Sequence, residues 1–166
     1  MRTIREFLDN KYAINELGEE GFNTAISDIS RHIKTKHTAS DGLDKSYMDN
    51  VGTVFRDGNA LIIEGAMGAT ALGAAIIGGS ATICGSEDAM LQSLAIGGVT
   101  SAGIMLIGYI KDRIKYNKSK AQLKDWVQGE IVETGCDMPK MTDRTKDACL
   151  GEVCESLVDD LVMEMK

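Results

Sequence analysis

The side chains that most often carry catalysis or bind metals are sparse in this sequence and do not cluster. His32 and His37 are five residues apart, which places them on different faces of a helix. No CxxC spacing occurs among the four cysteines, which are Cys84, Cys136, Cys149 and Cys154. A structural zinc site needs four converging Cys or His ligands. We therefore expect no metal, no cofactor, no catalytic residue and no enzymatic activity.

A glycine-rich stretch, GATALGAA at residues 68–75, has the glycine spacing of a phosphate-binding loop. Ala74 and Ala75 stand where such a loop requires lysine and then serine or threonine, so this stretch cannot cradle a phosphate. The three cysteines after residue 130 leave two states open. Residues 136–149 can close a disulfide loop in an oxidising compartment, and remain free thiols in a reducing one.

Charge is distributed unevenly along the 166 residues, whose net charge is −7. Residues 59–110 contain no lysine or arginine and only three acids, which are Glu64, Glu87 and Asp88. Residues 111–126 then carry six bases against two acids, and residues 127–166 carry four bases against ten acids. Nucleic-acid binding requires clustered bases on a broad surface, so we expect no nucleic-acid partner.

Two uncharged stretches interrupt this pattern, at residues 65–85 and 90–110. Each is about 20 residues long, and a helix of that length spans roughly 30 Å, the thickness of a bilayer's hydrocarbon core. Only SEDA, residues 86–89, separates them, so two such helices must form an antiparallel hairpin. The sequence therefore predicts candidate transmembrane helices at residues 60–84 and 90–110.

Small residues recur every fourth position in both stretches and form columns on one helix face. In water each glycine inside a helix costs about 1 kcal/mol relative to alanine, whereas in a bilayer small columns allow two helices to pack closely. We therefore predict helix-contact residues within these columns. They are Gly65, Ala69, Gly73, Gly78, Gly97, Gly98, Ser101 and Ala102.

The fold class predicted by the remaining segments is all-α, with a Gly/Ala-rich hairpin flanked by amphipathic helices. Residues 1–58 form an N-terminal amphipathic region, with Ile4, Phe7 and Leu8 on one helix face, a polar loop at residues 35–42 and a helix starting at Ser40 or Asp41. Residues 59–110 form the hairpin, residues 111–134 a basic and then polar helix, and residues 135–166 an acidic helix. The apolar stripe of this last helix comprises Leu150, Val153, Leu157, Leu161 and Met165.

The bases that follow the second stretch predict an orientation in the membrane. Lys111, Arg113 and Lys115 are expected at the membrane interface, and the positive-inside tendency places both termini in the cytoplasm and SEDA outside. Glu64, at the start of the first stretch, has two interpretations: a functional intramembrane acid, or a residue at the interface. Trp126 lies well beyond the second stretch, and we expect it to pack in the soluble part.

Paired small-residue helices joined by a short turn and flanked by polar helices resemble membrane-inserting phage proteins. Two such groups share the pattern: holins with two spanning helices, and internal virion proteins that are ejected to form a conduit. The resemblance covers about residues 60–120 and is one of pattern, without a family-specific motif. It implies a membrane or virion location.

Three hypotheses follow for the function. The first is a membrane hairpin that oligomerises through its small faces and opens or lines a passage. The second is a soluble all-helical assembly subunit, for example of a virion, with the small-residue helices buried against neighbouring subunits. The third is a membrane anchor whose terminal amphipathic helices bind and regulate a protein partner. The expected partners are therefore the lipid bilayer, a second copy of the chain and, in the third hypothesis, another protein.

Overall fold

A computed structural model describes residues 4–39, 42–83, 89–134 and 140–165. Within these ranges the chain forms five α-helices and one pair of two-residue strands, which confirms the predicted all-α class. The helices are α1 (Ile4–Leu17), α2 (Glu19–Lys36), α3 (Lys45–Ile83), α4 (Ala89–Thr134) and α5 (Asp143–Glu164). The strands β1 (Thr38–Ala39) and β2 (Gly42–Leu43) are antiparallel.

The chain divides into two compact units that share the two long helices. The bundle unit comprises Met1–Phe55 and Ser119–Lys166, and the hairpin unit comprises Arg56–Lys118. The hairpin unit therefore extends further at both ends than the predicted range 59–110. Helices α3 and α4 pass from one unit into the other without a break, and α4 continues past Ile110 as the sequence predicts.

The bundle unit packs α1 and α2 against α5. Its core includes Ala13 of α1, Phe22 of α2, and Ala148 and Cys149 of α5. Gly18 separates α1 from α2 with a φ of 76°, a left-handed conformation that glycine adopts without steric cost. This single glycine allows the chain to turn between two helices with almost no connecting loop.

The predicted helix start at Ser40 or Asp41 is wrong, because α3 begins at Lys45. The polar segment before it contains the strand pair, with Gly42 at a φ of 122°. Asp44 sets the start of the helix, since its Oδ1 accepts a hydrogen bond of 2.9 Å from the backbone N–H of Tyr47.

Helix α5 begins with Thr142 as its N-cap, whose side chain accepts a hydrogen bond from the Thr145 backbone N–H. Four of the five residues in the predicted apolar stripe are buried, and they are Leu150, Val153, Leu157 and Leu161. Met165, the fifth residue of the predicted stripe, is the C-cap of α5 and is exposed. The buried part of the stripe therefore ends at Leu161.

An aromatic cluster joins α2, α3 and α4 inside the bundle unit. The Trp126 ring lies 5.1 Å from the His37 ring and 6.3 Å from the Tyr47 ring, so Trp126 packs in this unit as the sequence predicts. The Tyr47 hydroxyl donates a hydrogen bond of 3.1 Å to the Leu157 carbonyl oxygen, which ties α5 to the cluster. Tyr47 is fully buried and forms part of the core that holds these helices together.

Candidate functional site: the small-residue hairpin

The two helices of the hairpin unit meet along glycine positions. A Cβ added to Gly58 would lie 3.3 Å from Tyr116, one added to Gly65 would lie 3.6 Å from Tyr109, and one added to Gly68 would lie 3.6 Å from Met105. Large side chains of one helix therefore rest on glycines of the other. This is the arrangement by which small residues bring two helix axes close together.

The spacing of these contacts defines an antiparallel heptad pattern. On α3 the contact positions advance by seven, three and seven residues, from Gly58 to Ala75. On α4 their partners recede by seven, four and seven residues, from Tyr116 to Gly98. A step of seven is one step of three plus one step of four. The contact positions therefore fit the alternating three- and four-residue steps of a left-handed coiled coil, in which the contact face repeats every 3.5 residues.

Gly98 packs directly against the backbone of Ala75. A Cβ at Gly98 would lie only 2.6 Å from the backbone nitrogen of Ala75 and 2.8 Å from its Cα. Because both atoms belong to the backbone, no rotamer change can relieve the clash. Gly98 is therefore required for the helices to pack at this distance.

Glu64 lies on the contact face rather than on the outside of the hairpin. Its carboxylate carbon would be 2.9 Å from a Cβ at Gly108, so the absence of a side chain at residue 108 accommodates the carboxylate. Glu64 is half-buried. An acid is thus held between two apolar helices by a glycine on the facing helix.

Further charged residues pair near the end of the hairpin unit where it joins the rest of the chain. Asp57 is 1% exposed, and its Oδ1 lies 2.8 Å from Lys115 Nζ. Arg113 Nη1 donates a hydrogen bond of 3.0 Å to the Tyr109 hydroxyl. These contacts place Lys115 and Arg113, two predicted interface residues, beside polar groups of the same unit, while Lys111 is exposed.

The outer surface of the hairpin unit is apolar along its two uncharged segments. Residues 65–83 and 89–110 contain no charged side chain. Thirteen large apolar residues of the described part of this unit are exposed. They are Ile62, Ile63, Met67, Leu72, Ile76, Ile77, Ile96, Val99, Ile104, Leu106, Ile107, Ile110 and Ile114.

One helix in the described part of the chain, Lys45–Ser80, is long and apolar enough by length and composition to cross a membrane. Helix α4 does not meet this criterion of length and composition in the part of the chain that the structure describes. The side chains of residues 90–92 and 94, within the second predicted span, are not among those described. Two membrane crossings therefore stay a prediction, as does the orientation of SEDA, of which only Ala89 is described.

The predicted helix-contact residues occupy two different environments. Gly65 and Gly98 face the partner helix of the hairpin, and Gly78 is buried. The others are half-buried or exposed, and they are Ala69, Gly73, Gly97, Ser101 and Ala102. A Cβ at Gly73 or Gly97 would have no atom within 4 Å. These two glycines are therefore open on the hairpin surface.

The predicted helix contacts, which were chosen from columns of small residues four apart, leave out three contact positions. Gly58, Gly68 and Gly108 each face a side chain of the opposite helix. The available signal was the heptad step from Gly58 to Gly65 together with the three-residue step to Gly68. A four-residue column drifts away from a contact face that repeats every 3.5 residues.

A shallow groove of about 590 Å³ lies between the two helices of the hairpin unit. Its lining is small and almost entirely apolar, with Met67, Thr70, Ala71, Ala74, Ser93, Gly97, Gly98, Ser101 and Met105. Among the described residues, no acid, base, histidine or cysteine lines it, and its polar groups are the hydroxyls of Thr70, Ser93 and Ser101.

Several titratable groups in the bundle unit contact one another. His37 Nδ1 lies 2.8 Å from Asp44 Oδ2, and its Nε2 lies 3.1 Å from Glu130 Oε2. The hydrogen bond from the Tyr47 backbone and then that with His37 lower the pKa of Asp44. Burial raises the pKa of Glu130, but hydrogen bonds from Lys36 and His37 outweigh it and leave that pKa lowered. Each carboxylate stabilises the junction between α2 and its neighbours.

Two of the four cysteines are described, and both are free thiols buried in the bundle unit. Burial, reinforced by nearby carboxylates, raises the pKa of Cys149 to about 11. Burial likewise raises the pKa of Cys154 to about 12. Both thiols therefore remain protonated and unreactive at neutral pH. Cys84 and Cys136 lie outside the described residues.

Comparison of this chain with protein-family models, with curated proteins and with solved structures found no match.

Proposed function

We propose that this protein is a non-enzymatic, membrane-inserting helical hairpin that self-associates in the bilayer. The observation that carries the proposal is the outer surface of the hairpin unit, where large apolar side chains are exposed on segments that contain no charge. A soluble monomer rarely exposes a contiguous apolar surface larger than a few hundred Å². In a bilayer, lipid chains would cover this apolar surface.

The backbone of the hairpin also suits a bilayer. Both segments are helical, so their N–H and C=O groups bond within the helix, as a hydrocarbon environment demands. The hydroxyl groups follow the same rule. Thr70 donates to the Ala66 carbonyl at 3.0 Å, Ser80 to that of Ile77 at 3.0 Å and Thr100 to that of Ile96 at 2.9 Å.

The charged residues support insertion from one side. Asp57, Lys115 and Arg113 lie at the end of the hairpin unit that carries both chain connections. Because both connections leave at the same end, the segments before and after an inserted hairpin remain on one side of the membrane. With the excess of bases after Ile110, the positive-inside tendency assigns that side to the cytoplasm.

A pair of lysine substitutions tests insertion. Ile76 and Val132 are both β-branched and similarly exposed, at 70% and 76%, but Ile76 lies in the hairpin unit and Val132 in the bundle unit. In a bilayer Ile76→Lys costs about 3 kcal/mol of insertion free energy. Val132→Lys changes stability by about 0.5 kcal/mol or less.

Membrane fractions washed at alkaline pH and flotation with lipid vesicles measure the outcome. We expect the wild type and Val132→Lys to stay with the membrane and Ile76→Lys to be released in a substantial fraction. Recovery of all three proteins in the soluble fraction would instead support the assembly-subunit hypothesis, in which neighbouring subunits cover the apolar surface.

A further inference from the structure

Helix α1 presents an exposed outer face that is remote in sequence from the hairpin. This face comprises Ile4, Arg5, Phe7, Leu8, Lys11 and Tyr12, which follow one another at helical spacing. All six are exposed, with Ile4 at 83%. The opposite face of the helix carries Ala13, which is fully buried in the bundle core.

The charges of α1 are sorted between these two faces. All three acids contact residues of the bundle unit, although Glu16 is exposed. Lys120 donates to Glu6 at 2.8 Å, Arg144 Nε donates to Asp9 at 2.7 Å, and the Thr142 backbone N–H donates to Glu16 at 2.8 Å. The charged residues of the outer face are Arg5 and Lys11; the Arg5 side chain is 91% exposed, and its Nε lies 3.8 Å from Asp9 Oδ2. Arg144 adds a third base, and its guanidinium carbon lies 4.7 Å from the centre of the Tyr12 ring.

We propose that this outer face of α1 binds the surface of a membrane that contains anionic phospholipid. Two properties support a lipid surface over a protein groove. Its aromatic and aliphatic side chains form a continuous face that can enter the boundary between headgroups and acyl chains. Its only charged residues, Arg5 and Lys11, are basic and can complement anionic headgroups. The inference rests on the proposed function only in that a membrane is present.

The test places a nitroxide spin label on α1 in the full-length protein bound to vesicles. Cys84→Ser and Cys136→Ser remove two thiols, while Cys149 and Cys154 are buried and do not compete for the reagent. Leu8→Cys carries the label on the outer face. Val132→Cys is the matched control on an isolated exposed residue of the same unit, and Ile76→Cys reports separately on insertion of the hairpin.

Collision rates with dissolved oxygen and with an aqueous nickel chelate measure the depth of each label. In vesicles of phosphatidylcholine mixed with phosphatidylglycerol, we expect the label at residue 8 to be shielded from nickel and accessible to oxygen. In pure phosphatidylcholine vesicles it should return toward water. Arg5→Gln and Lys11→Gln should each lower the ratio of membrane-bound to water-exposed label about fivefold, since one base contributes about 1 kcal/mol at an anionic surface.

Two results would overturn the inference. One is a label at residue 8 that behaves like the label at residue 132 in both kinds of vesicle. The other is shielding at residue 8 that occurs without lipid, which would mean that a second copy of the chain covers the face. Both results concern α1 and not the hairpin. A label at residue 76 that stays in water would count against the proposed function and not against this inference.

Discussion

At the scale of single residues, a glycine in the hairpin matters because of what stands opposite it. Gly97 and Gly98 are adjacent in sequence, yet an added Cβ meets the Ala75 backbone at residue 98 and nothing within 4 Å at residue 97. Gly108 is comparable to Gly98, because an added Cβ there would meet the Glu64 carboxylate. The roles of these glycines therefore follow from the register of the hairpin.

This difference predicts opposite effects of one substitution at neighbouring positions. Gly98→Ala forces the two helices apart, and overpacking of this kind costs typically about 1–3 kcal/mol. Gly97→Ala adds a methyl group in open space and gains helix propensity of up to about 1 kcal/mol. Thermal unfolding in detergent, followed by circular dichroism, should show a lower midpoint for Gly98→Ala than for the wild type.

Gly97→Ala serves as the matched control, because it makes the same chemical change one residue away. Its midpoint should equal or exceed that of the wild type. Equal destabilisation by the two substitutions would contradict the close contact between Gly98 and Ala75.

At the scale of elements, the sequence predicts helices well where the hydrophobic pattern is long. The absence of charge in residues 65–85 and 90–110 and the short connection between them predict an antiparallel hairpin, and the glycine contacts of the described residues pair in that sense. The register could not be derived in the same way. Residues 58–79 contain small residues on every helix face, so the sequence favours several contact faces, and side chains such as Tyr109 and Met105 select one.

Local elements whose position depends on residues distant in the chain could not be predicted from the sequence either. The start of α3 at Lys45 depends on Asp44, which caps the helix and also lies 2.8 Å from the buried His37. In sequence, Ser40 and Asp41 are equally good caps. The strand pair before the helix is only two residues long on each side, too short for an alternating pattern to reveal it.

The open glycines of the hairpin predict how copies of the protein associate. If another copy packs on this surface, Gly73→Ile inserts a branched side chain into the contact and weakens association by about 1 kcal/mol, or about fivefold. The hairpin itself should tolerate the substitution, because a Cβ at Gly73 has no atom within 4 Å. Crosslinking in detergent or native membranes would measure the oligomer population.

Leu72→Ile provides the control, since Leu72 is exposed and the substitution conserves volume. Its oligomer population should match that of the wild type. An unchanged population in Gly73→Ile would remove the argument for self-association and favour a hairpin that acts as a simple anchor.

At the scale of the whole molecule, the bundle unit has its own core and is discontinuous in sequence. This arrangement predicts that the hairpin can be removed. Replacing Arg56–Lys118 by a short glycine–serine linker should leave a folded helical protein, because residues 58 and 116 are in contact and a few residues can join two antiparallel helices. We expect this shortened protein to be soluble without detergent and to unfold cooperatively.

Circular dichroism and size-exclusion chromatography would test both expectations. The matched control keeps the full length and carries the linker sequence as an insertion after Gly129, an exposed residue of α4 in the bundle unit. A shortened protein that is folded but still sediments with vesicles of pure phosphatidylcholine, to which α1 is not expected to bind, would show that the hairpin is not what retains the chain there.

The discontinuity of the bundle unit also sets an order of events during translation. The residues up to Phe55 leave the ribosome first, but the helix that completes their core, α5, follows only after the whole hairpin. At a synthesis rate of about 5–20 residues per second, the nascent chain carries an exposed hairpin and an incomplete bundle for about two to ten seconds before α5 is made. During that interval no finished domain restrains the hairpin, so its apolar segments are made and exposed before the bundle unit is complete.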